Sequence, residues 1–247
     1  MQTDLGIFNA DALNPAAVNV KLLPEAGDPV ALEFTLDPLG RRSIDVNELV
    51  RSRGVPDQGF SIQVESTQPV AATRQMAWGS PVRGSTLESG IPNMSPTWYF
   101  AEGATTIHSL YYMVENPNAT PANVVLTHLL EGGAAPITQT DVVPPFTRRT
   151  FDINAVPGLA SASLSTVISA DVPIVAERAM YLNTTNRLWE GGAAGRGAIA
   201  PGSFWTFAEG ATGFFHTYLC LGNPGESPSD VEVTYQLSTG ETLRRWA

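Results

Sequence analysis

Apolar and polar residues alternate in short runs along much of the chain. In the run 231–237 the apolar residues fall on one face of an extended strand, and Val124, Leu126 and Leu130 have the same phase. Turn-forming pairs such as Asn-Pro, Gly-Gly and Pro-Gly separate these runs. The pattern predicts many short β-strands, each with one face buried.

The middle of the chain contains eight such runs. Seven or eight short strands within about 107 residues are typical of a β-sandwich. The predicted strands are Thr97–Phe100, Ser109–Val114, Asn123–Leu130, Ile137–Val143, Arg149–Ile153, Leu164–Ser169, Ile174–Leu182 and Ala198–Trp205.

The strand pattern belongs to an internal repeat. The run WYFAEGAT at 98–105 returns as WTFAEGAT at 205–212, an offset of 107 residues. At that offset 98–140 and 205–247 share 15 identities in 43 ungapped positions. Self-similarity at a fixed period indicates an array of one structural unit.

The repeat also extends towards the N-terminus. The run RRSIDVN at 41–47 matches RRTFDIN at 148–154, again at an offset of 107. The run PVAATRQM at 69–76 matches PIVAERAM at 173–180 at an offset of 104, so the first copy is three residues longer between these anchors.

These periods predict an all-β chain of tandem immunoglobulin-like β-sandwich domains, with about 107 residues per repeat. We expect a first copy at 1–97 that lacks its leading strand and a complete second copy at 98–204. We expect a third, incomplete copy at 205–247 that needs a partner or the rest of a longer chain.

The first copy departs from the common phase at one place. Val18, Val20 and Leu22 alternate one residue out of step with the second copy. Such a slip would turn every side chain to the opposite face of its sheet, so we expect a bulge or a local shift near this strand.

Composition and charge argue against nucleic-acid binding, a membrane-spanning segment and an intrachain disulfide. Of 247 residues, 14 are basic and 24 acidic, and the net charge of −10 is unsuited to binding phosphate backbones. No run of about 18 apolar residues is present, so no membrane-spanning segment is expected. The lone Cys220 excludes an intrachain disulfide, and its apolar neighbours predict a buried position.

The strings at 98–103, 116–117 and 173–181 resemble a class of bacterial secreted proteins built from tandem repeats of the type WYFAEG…NP…PIVAERAMY. The resemblance covers essentially the whole chain. It implies a long, surface-associated protein without an assigned enzymatic activity. The first copy departs from the type, with Asn9-Ala10 in place of Asn-Pro.

No catalytic constellation is evident. The histidines His108, His128 and His216 do not recur at the repeat offset, and none has metal-ligand spacing beside a carboxylate cluster. We therefore expect a protein that is not an enzyme and has no catalytic residues, no metal site and no cofactor.

Recurring charged residues have a structural interpretation, because a bond needed by every unit must be copied with it. Arg178 shares a strand face with apolar residues and would need an acceptor. We predict an ion pair from Arg178 to Glu102 or Glu209 that fixes the WYFAEG strand. The predicted structural motif residues are Trp98, Phe100, Glu102, Gly103, Trp205, Phe207, Glu209, Gly210, Arg74 and Arg178.

The recurring aromatic residues leave two interpretations open. Trp98 and Trp205 stand at the predicted boundaries between copies, next to Phe100 and Phe207. They would form either an inter-domain packing plug, which we favour, or a platform for binding sugars.

The sequence therefore predicts a non-enzymatic extracellular structural protein, a subunit or fragment of a cell-surface stalk, sheath or filament. Homopolymers formed head to tail are one expectation, with the strand at 205–210 donated to the first copy of a neighbour. The alternative is an adhesin module that binds carbohydrate or a cell-surface ligand through loops. Nucleic acid is excluded as a partner by charge.

Overall fold

The computed structural model describes residues 1–55 and 58–246, and its secondary structure is nearly all β. Strands account for 54% of the chain and helix for 3%, and the strand pairings are antiparallel. The predicted all-β class is confirmed. The chain divides into two compact units, 1–205 and 206–247.

The described residues of the first copy form two sheets around one core. The sheets have the strand orders β4-β1-β6-β7 and β3-β2-β5. Leu5 and Ile7 from the first sheet meet Val18 and Val20 from the second in a single apolar cluster. The elements are β1 (Gln2–Asn9), β2 (Ala16–Pro24), β3 (Val30–Leu36), β4 (Arg41–Asp45), α1 (Val46–Ser52), β5 (Phe60–Ser66), β6 (Val70–Trp78) and β7 (Gly84–Ser89).

The second copy is organised around one long strand, β13. Its first part, 164–170, pairs with β10, and 166–169 also pairs with β8. Its second part, 175–182, pairs with β9 and largely with β14. The two strands predicted at 164–169 and 174–182 are therefore continuous. The elements are β8 (Ser95–Phe100), β9 (His108–Asn116), β10 (Ala122–Leu130), β11 (Ile137–Val143), β12 (Thr147–Asp152), β13 (Leu164–Thr184) and β14 (Arg187–Arg196).

Strand order corresponds between the copies. The order β4-β1-β6-β7 has the counterpart β12-β9-β13-β14, and β3-β2-β5 has the counterpart β11-β10-β13. The second copy has β8 in addition, which pairs with β13.

The predicted local shift in the first copy is present. Val18 and Val20 occupy the buried positions of Val124 and Leu126, an offset of 106 rather than 107. The connection from Asn9 to β2 is one residue longer than that from Asn116 to β10. The longer loop restores the register, so the apolar residues still face the core.

Helix α1 lies in the segment where the first copy is longer. The Asp45 carboxylate accepts a hydrogen bond from the Glu48 amide at 2.9 Å and caps the helix, while Val46 and Val50 are buried. In the second copy Asp152 accepts from the Asn154 amide at 3.1 Å and begins a turn instead. The aspartate at this repeated position therefore begins a helix in the first copy and a turn in the second.

Two strand predictions are wrong. The segment 198–205 is not a strand, although Ala198 forms an isolated bridge with Tyr99. Strand β14 was missed because Gly191-Gly192 indicated a turn. A Cβ atom at Gly192 would lie 2.8 Å from Cδ1 of Tyr181 and 3.0 Å from the Met180 carbonyl oxygen, so glycine here permits close approach within the sheet.

The unit 206–247 contains a hairpin formed by β15 (Glu232–Gln236) and β16 (Thr242–Trp246). Gly240 in its turn has a φ of +86°, which favours glycine. Strand β15 lies within the alternating run at 231–237. In the described part of the chain, no helix is both long and apolar enough to cross a bilayer.

Candidate functional site at the junction of the first two copies

The first motif residue, Trp98, lies inside the second copy. Its side chain is fully buried, and its indole Nε1 donates to the carbonyl oxygens of Ser95 and Ile174, each at 3.1 Å. Phe100 packs in the same core. Trp98 therefore forms neither the expected plug between copies nor a sugar-binding platform.

Arg178 forms one of the two predicted ion pairs. Its Nη1 lies 3.0 Å from Oε2 of Glu102 and also donates to the Glu102 carbonyl oxygen at 2.5 Å. The Arg178 side chain is largely buried. A buried guanidinium without an anionic partner is strongly destabilising, and Glu102 supplies that partner. The contact holds the chain just after β8 against β13.

Gly103 follows Glu102 in a place with no room for a side chain. A Cβ atom there would lie 3.0 Å from Cδ1 of Leu164 and 3.1 Å from Cδ2 of Leu110. Its carbonyl oxygen accepts from the Leu164 amide at 2.8 Å. The glycine allows the chain after β8 to approach β13 closely.

The equivalent residues of the third copy are placed differently. Trp205 and Phe207 are exposed, and the Trp205 indole donates to the Gly202 carbonyl oxygen at 2.9 Å. Among the described residues Glu209 has no ion-pair partner, and no atom lies within 4 Å of a Cβ placed at Gly210. The motif is thus assembled in the second copy and unassembled in the third.

Arg74 corresponds to Arg178 in sequence but joins the two copies. Its Nη1 lies 2.9 Å from Oε2 of Glu177, and both side chains are largely buried. Glu177 sits on β13 next to Arg178 and extends towards the first copy. This pair is one of several polar contacts across the junction.

The other polar contacts involve the strand β5 and Glu25 in the loop after β2. Arg148 Nη1 donates to the Phe60 carbonyl oxygen at 3.3 Å, and its Nη2 lies 3.6 Å from Oε1 of Glu25. Gln63 Nε2 donates to Oε1 of Glu115 at 2.8 Å. Side chains of β9 and β12 therefore cover part of β5.

Aromatic residues form the apolar part of the junction. Trp78, buried at the end of β6, meets Tyr181 edge-on with 5.2 Å between ring centroids. Tyr181 also packs against Trp189 at 4.9 Å. The Trp78 indole donates to the Trp189 carbonyl oxygen at 2.7 Å, and Trp189 has a φ of +54°, a costly conformation for a bulky residue. The packing plug between the copies is thus Trp78 and its partners.

Burial changes the ionisation of groups at the junction. Removal from water raises the pKa of the Glu115 carboxyl above its ordinary value, and the hydrogen bond from Gln63 opposes this only in part. Burial also lowers the pKa of the Arg148 guanidinium, opposed by the negative charge of Glu25. The junction therefore holds an acidic group whose charged form is disfavoured.

A pair of buried asparagines recurs at one end of the two copies. Asn116 Nδ2 donates to the carbonyl oxygens of Thr120, Val143 and Pro144 at 2.8–3.1 Å. Asn9 Nδ2 donates to Asn14, Leu36 and Asp37 in the same way at 2.9–3.4 Å. We call each set an asparagine bracket, because one side chain ties the loop after β1 or β9 to the end of β3 or β11.

A second pair of asparagines recurs at the opposite end of β1 and β9. Asn47 Oδ1 accepts from the Thr3 amide at 2.6 Å, and Asn154 Oδ1 accepts from the Leu110 amide at 2.8 Å. These residues end the repeated RRSIDVN and RRTFDIN runs. Both runs are evident from the repeat in the sequence, but the role of the asparagines is evident only from the structure.

His128, a candidate for catalysis by residue type, is held inside the fold by hydrogen bonds. His128 is buried between Oγ1 of Thr166 at 3.0 Å and Oε1 of Gln139 at 2.9 Å, and burial lowers its pKa. Within 1–55 and 58–246, no group of three or more His, Cys, Asp or Glu residues is placed to hold a metal ion. Cys220 is exposed, contrary to the prediction of burial.

The junction between the first two copies could not be predicted from the repeat. Trp78 and Trp189 do not recur at the repeat offsets, so a search for repeated residues passed over them. The available signal was local: Trp78 at the end of β6 and Trp189 near the start of β14 both stand in sequence that the repeat does not match.

No family model matches the chain, and no curated protein matches it. The crystal structure of Thermotoga maritima 1070 is similar, with 16% identity and a TM-score of 0.41, covering 45% of this chain and 99% of that one. The Anabaena sensory rhodopsin transducer is similar, with 21% identity and a TM-score of 0.31, covering 35% of this chain and 97% of that one. The function must therefore be argued from the residues of this chain.

Proposed function

We propose that the chain is a non-enzymatic, extracellular structural protein, a subunit or fragment of a cell-surface stalk, sheath or filament. Its units are immunoglobulin-like β-sandwiches of about 107 residues. The observation that carries the proposal is the junction, where Trp78, Tyr181 and the Arg74–Glu177 pair join two consecutive copies directly.

A junction of this kind favours stiffness. Domains joined only by a linker move freely, whereas a buried aromatic contact fixes their relative orientation. Only five residues, 90–94, separate β7 from β8. Copies joined in this way would transmit load along an array instead of folding back on one another.

The recurring polar residues support a structural role over catalysis. In the asparagine brackets, the side chains of Asn9 and Asn116 donate to backbone carbonyl groups, and Arg178 is paired with Glu102. A catalytic group must remain available to a substrate, whereas these side chains complete the fold. The extracellular location rests on the resemblance to secreted tandem-repeat proteins.

Head-to-tail self-association by strand donation is the proposed route to a polymer. A strand such as 205–210 would pair with β5 of a neighbour as β8 pairs with β13. The contacts of Arg148 with Phe60 and of Glu115 with Gln63 count against this route, because a donated strand would have to displace them.

Surface labelling of intact source cells tests the proposal. Antibodies against 1–205 should label the outside of unbroken cells, and electron microscopy should place the label on fibres, stalks or a sheath. Labelling that appears only after lysis would overturn the extracellular role. Labelling scattered over the surface without an ordered structure would favour an adhesin.

One observation favours the adhesin alternative. Leu39 and Phe146 occupy equivalent turns, are exposed, and have φ angles of +55° and +54°. An exposed bulky residue held in this conformation in two copies suggests presentation to a ligand. If the unchanged chain binds glycans on an array and the Phe146→Ser variant does not, the result would support this alternative. Equal glycan binding by the unchanged chain and the variant would reject it.

A further inference from the structure

One sheet of the second copy has an outer face without charged residues. The sheet contains β8, β10, β11 and the first part of β13. Successive side chains along a strand point to opposite faces, so the residues that alternate with the buried ones point outward. The outward residues within 97–99, 125–129, 138–140 and 165–169 are all uncharged. We call this set the neutral face.

The neutral face has apolar side chains as well as hydroxyl groups. On it Val167 lies between Thr127 and Tyr99 of the neighbouring strands, and Val125 and Leu129 also point outward. In the described part of the chain, these five side chains are partly exposed and belong to no apolar core cluster. An antiparallel sheet that faces water normally has polar residues on its outer side. The neutral face is closer in composition to one half of a sheet-to-sheet contact.

The corresponding face of the first copy is charged. On the outer side of β2, β3 and β5, Asn19 lies between Glu33 and Glu65. Lys21 is on the same face and its amino group lies 2.9 Å from Oε2 of Glu65. Burying this face against another protein would remove two carboxylates and an ammonium group from water, which is costly.

The second copy has neutral residues at the positions of these two glutamates. Thr140 and Ser169 flank Val125 in the same register as the glutamates flank the asparagine in the first copy. The fold and the strand pairing are therefore the same at this place, and the charge differs. The second copy can lose water from this face without burying a charge.

We propose that the neutral face joins the chain side by side to a second copy of the same chain, with one neutral face packed on the other about a two-fold axis. The proposal rests on the structural role proposed above and adds to it the surface by which neighbouring chains meet laterally. Two sheets packed in this way lie about 10 Å apart, with their side chains interlocked.

The charge of the chain determines which surfaces of two copies can meet. The net charge is −10, so two copies repel each other, and contacts through acidic surfaces would bring like charges together. Contact between two neutral faces avoids this cost. A partner with charged groups would find no opposite charge on the neutral face, and its own groups would lose water without compensation.

Hydroxyl groups make the neutral face compatible with an identical face. A threonine or serine hydroxyl both donates and accepts a hydrogen bond, so each can pair with its own kind across a two-fold axis. The backbone groups of β10 and β13 are already paired within the sheet. The contact therefore consists of side chains and requires no exchange of strands.

The size of the neutral face predicts a weak contact. With about 4.8 Å between strands and 3.3 Å per residue, four strands of this length cover roughly 300–400 Å². A stable dimer buries about 800 Å² of each partner. We therefore expect the chain alone to dimerise only at high concentration, whereas chains already held in one fibre would meet at a high effective concentration.

Sedimentation equilibrium at protein concentrations up to about 1 mM tests the contact. The unchanged chain should form dimers at the upper end of this range. The double variant Thr140→Glu with Ser169→Glu should dimerise about tenfold more weakly or less, because carboxylates would meet across the axis. The first copy carries glutamates at the corresponding positions, so the fold accommodates them.

A matched control separates the position of the added charge from its amount. Ala17→Glu with Ala31→Glu adds the same charge to exposed positions on the outer face of the first copy and should dimerise like the unchanged chain. An unchanged chain that stays monomeric at about 1 mM would overturn the proposal. Equal dimerisation by the unchanged chain and the Thr140→Glu, Ser169→Glu variant would overturn it as well.

Nuclear magnetic resonance locates the contact without any substitution. Between dilute and concentrated samples, amide chemical shifts should change most within 97–99, 125–129, 138–140 and 165–169. Changes confined to other residues would contradict a contact through the neutral face. Changes on this face that appear only when a soluble oligosaccharide is added would assign it to a glycan and also overturn the proposal.

The lateral contact and the extracellular role can fail separately. Labelled fibres on intact cells, together with a chain that stays monomeric in solution, would reject the lateral contact alone. Dimerisation through the neutral face by a chain that is labelled only after lysis would reject the extracellular role alone.

Discussion

Arg74 in the first copy and Glu177 in the second are joined by a contact of 2.9 Å across the junction. The equivalent arginine, Arg178, remains within its own copy and binds Glu102. The arginine at this repeated position therefore has two roles. In the second copy it holds the chain after β8, and in the first copy it joins the two copies.

Trp78→Ala should weaken the junction more than any single polar change there. The indole is buried against Tyr181, so truncation should lower the free energy of unfolding by about 3–5 kcal/mol. Trp78→Phe, which keeps a ring but removes the donor to Trp189, should cost about 1 kcal/mol. Urea denaturation gives both values.

The exposed Trp246 provides the matched control, and Trp246→Ala should leave the urea midpoint unchanged. X-ray scattering on Trp78→Ala should also show a wider range of distances between the first two copies. An unchanged scattering profile, with stability reduced, would mean that Trp78 stabilises the first copy alone.

Asn116→Ala should destabilise the second copy by about 1–3 kcal/mol, because three carbonyl groups lose their donor and one of them belongs to the buried Val143. Asn116→Asp should be similarly harmful, since a carboxylate accepts but does not donate. Thermal and urea unfolding would measure the loss. Asn223→Ala removes the exposed counterpart and should have no effect on the unit 1–205; a loss equal to that of Asn116→Ala would contradict the bracket.

Glu102→Gln should cost about 0.5–1 kcal/mol. Arg178 is largely buried, but Glu102 is nearly half exposed, so solvent screens part of the attraction. The Glu102 carbonyl oxygen also remains as an acceptor in the variant. Glu209→Gln, the same change in the third copy, should leave stability unchanged.

The junction should become more stable as the pH falls from 7 towards 5. Burial raises the pKa of Glu115 above its ordinary 4.5 in the folded state, so the folded protein binds the proton more tightly than the unfolded chain. Stability from this group is therefore gained as the pH falls through the raised value and is complete below 4.5. Urea midpoints across this range would measure the slope.

Glu115→Gln should reduce the slope and raise stability at pH 7, because the amide carries no charge to desolvate and can still accept from Gln63. Glu65→Gln, a change at an exposed residue, should retain the slope. A slope that persists unchanged in Glu115→Gln would assign it to another group, with Glu88 next, since burial raises its pKa as well.

Much of the fold could be predicted because the copies constrain one another. The alternation gave most strands of the second copy, and the out-of-step residues Val18 and Val20 correctly indicated a local shift. The pair Gly191-Gly192 was misleading because glycine serves both turns and close contacts, and only the position of Tyr181 distinguishes them.

The candidate site was less predictable for a physical reason. The repeat identifies residues needed by every unit, such as Trp98 and Arg178, and these lie inside a copy. Contacts between copies are made by residues that differ between them, such as Trp78. Their pairing depends on how two surfaces meet, which no single strand pattern specifies.

The continuous strand β13 has a consequence for how the second copy comes apart. Because it is hydrogen-bonded to β10 on one side of the fold and to β9 further along, neither half can melt without loosening the other. In the first copy β5 and β6 are separate strands in separate sheets. Under heat or mechanical tension we expect the second copy to unfold all at once and the first to yield one sheet before the other.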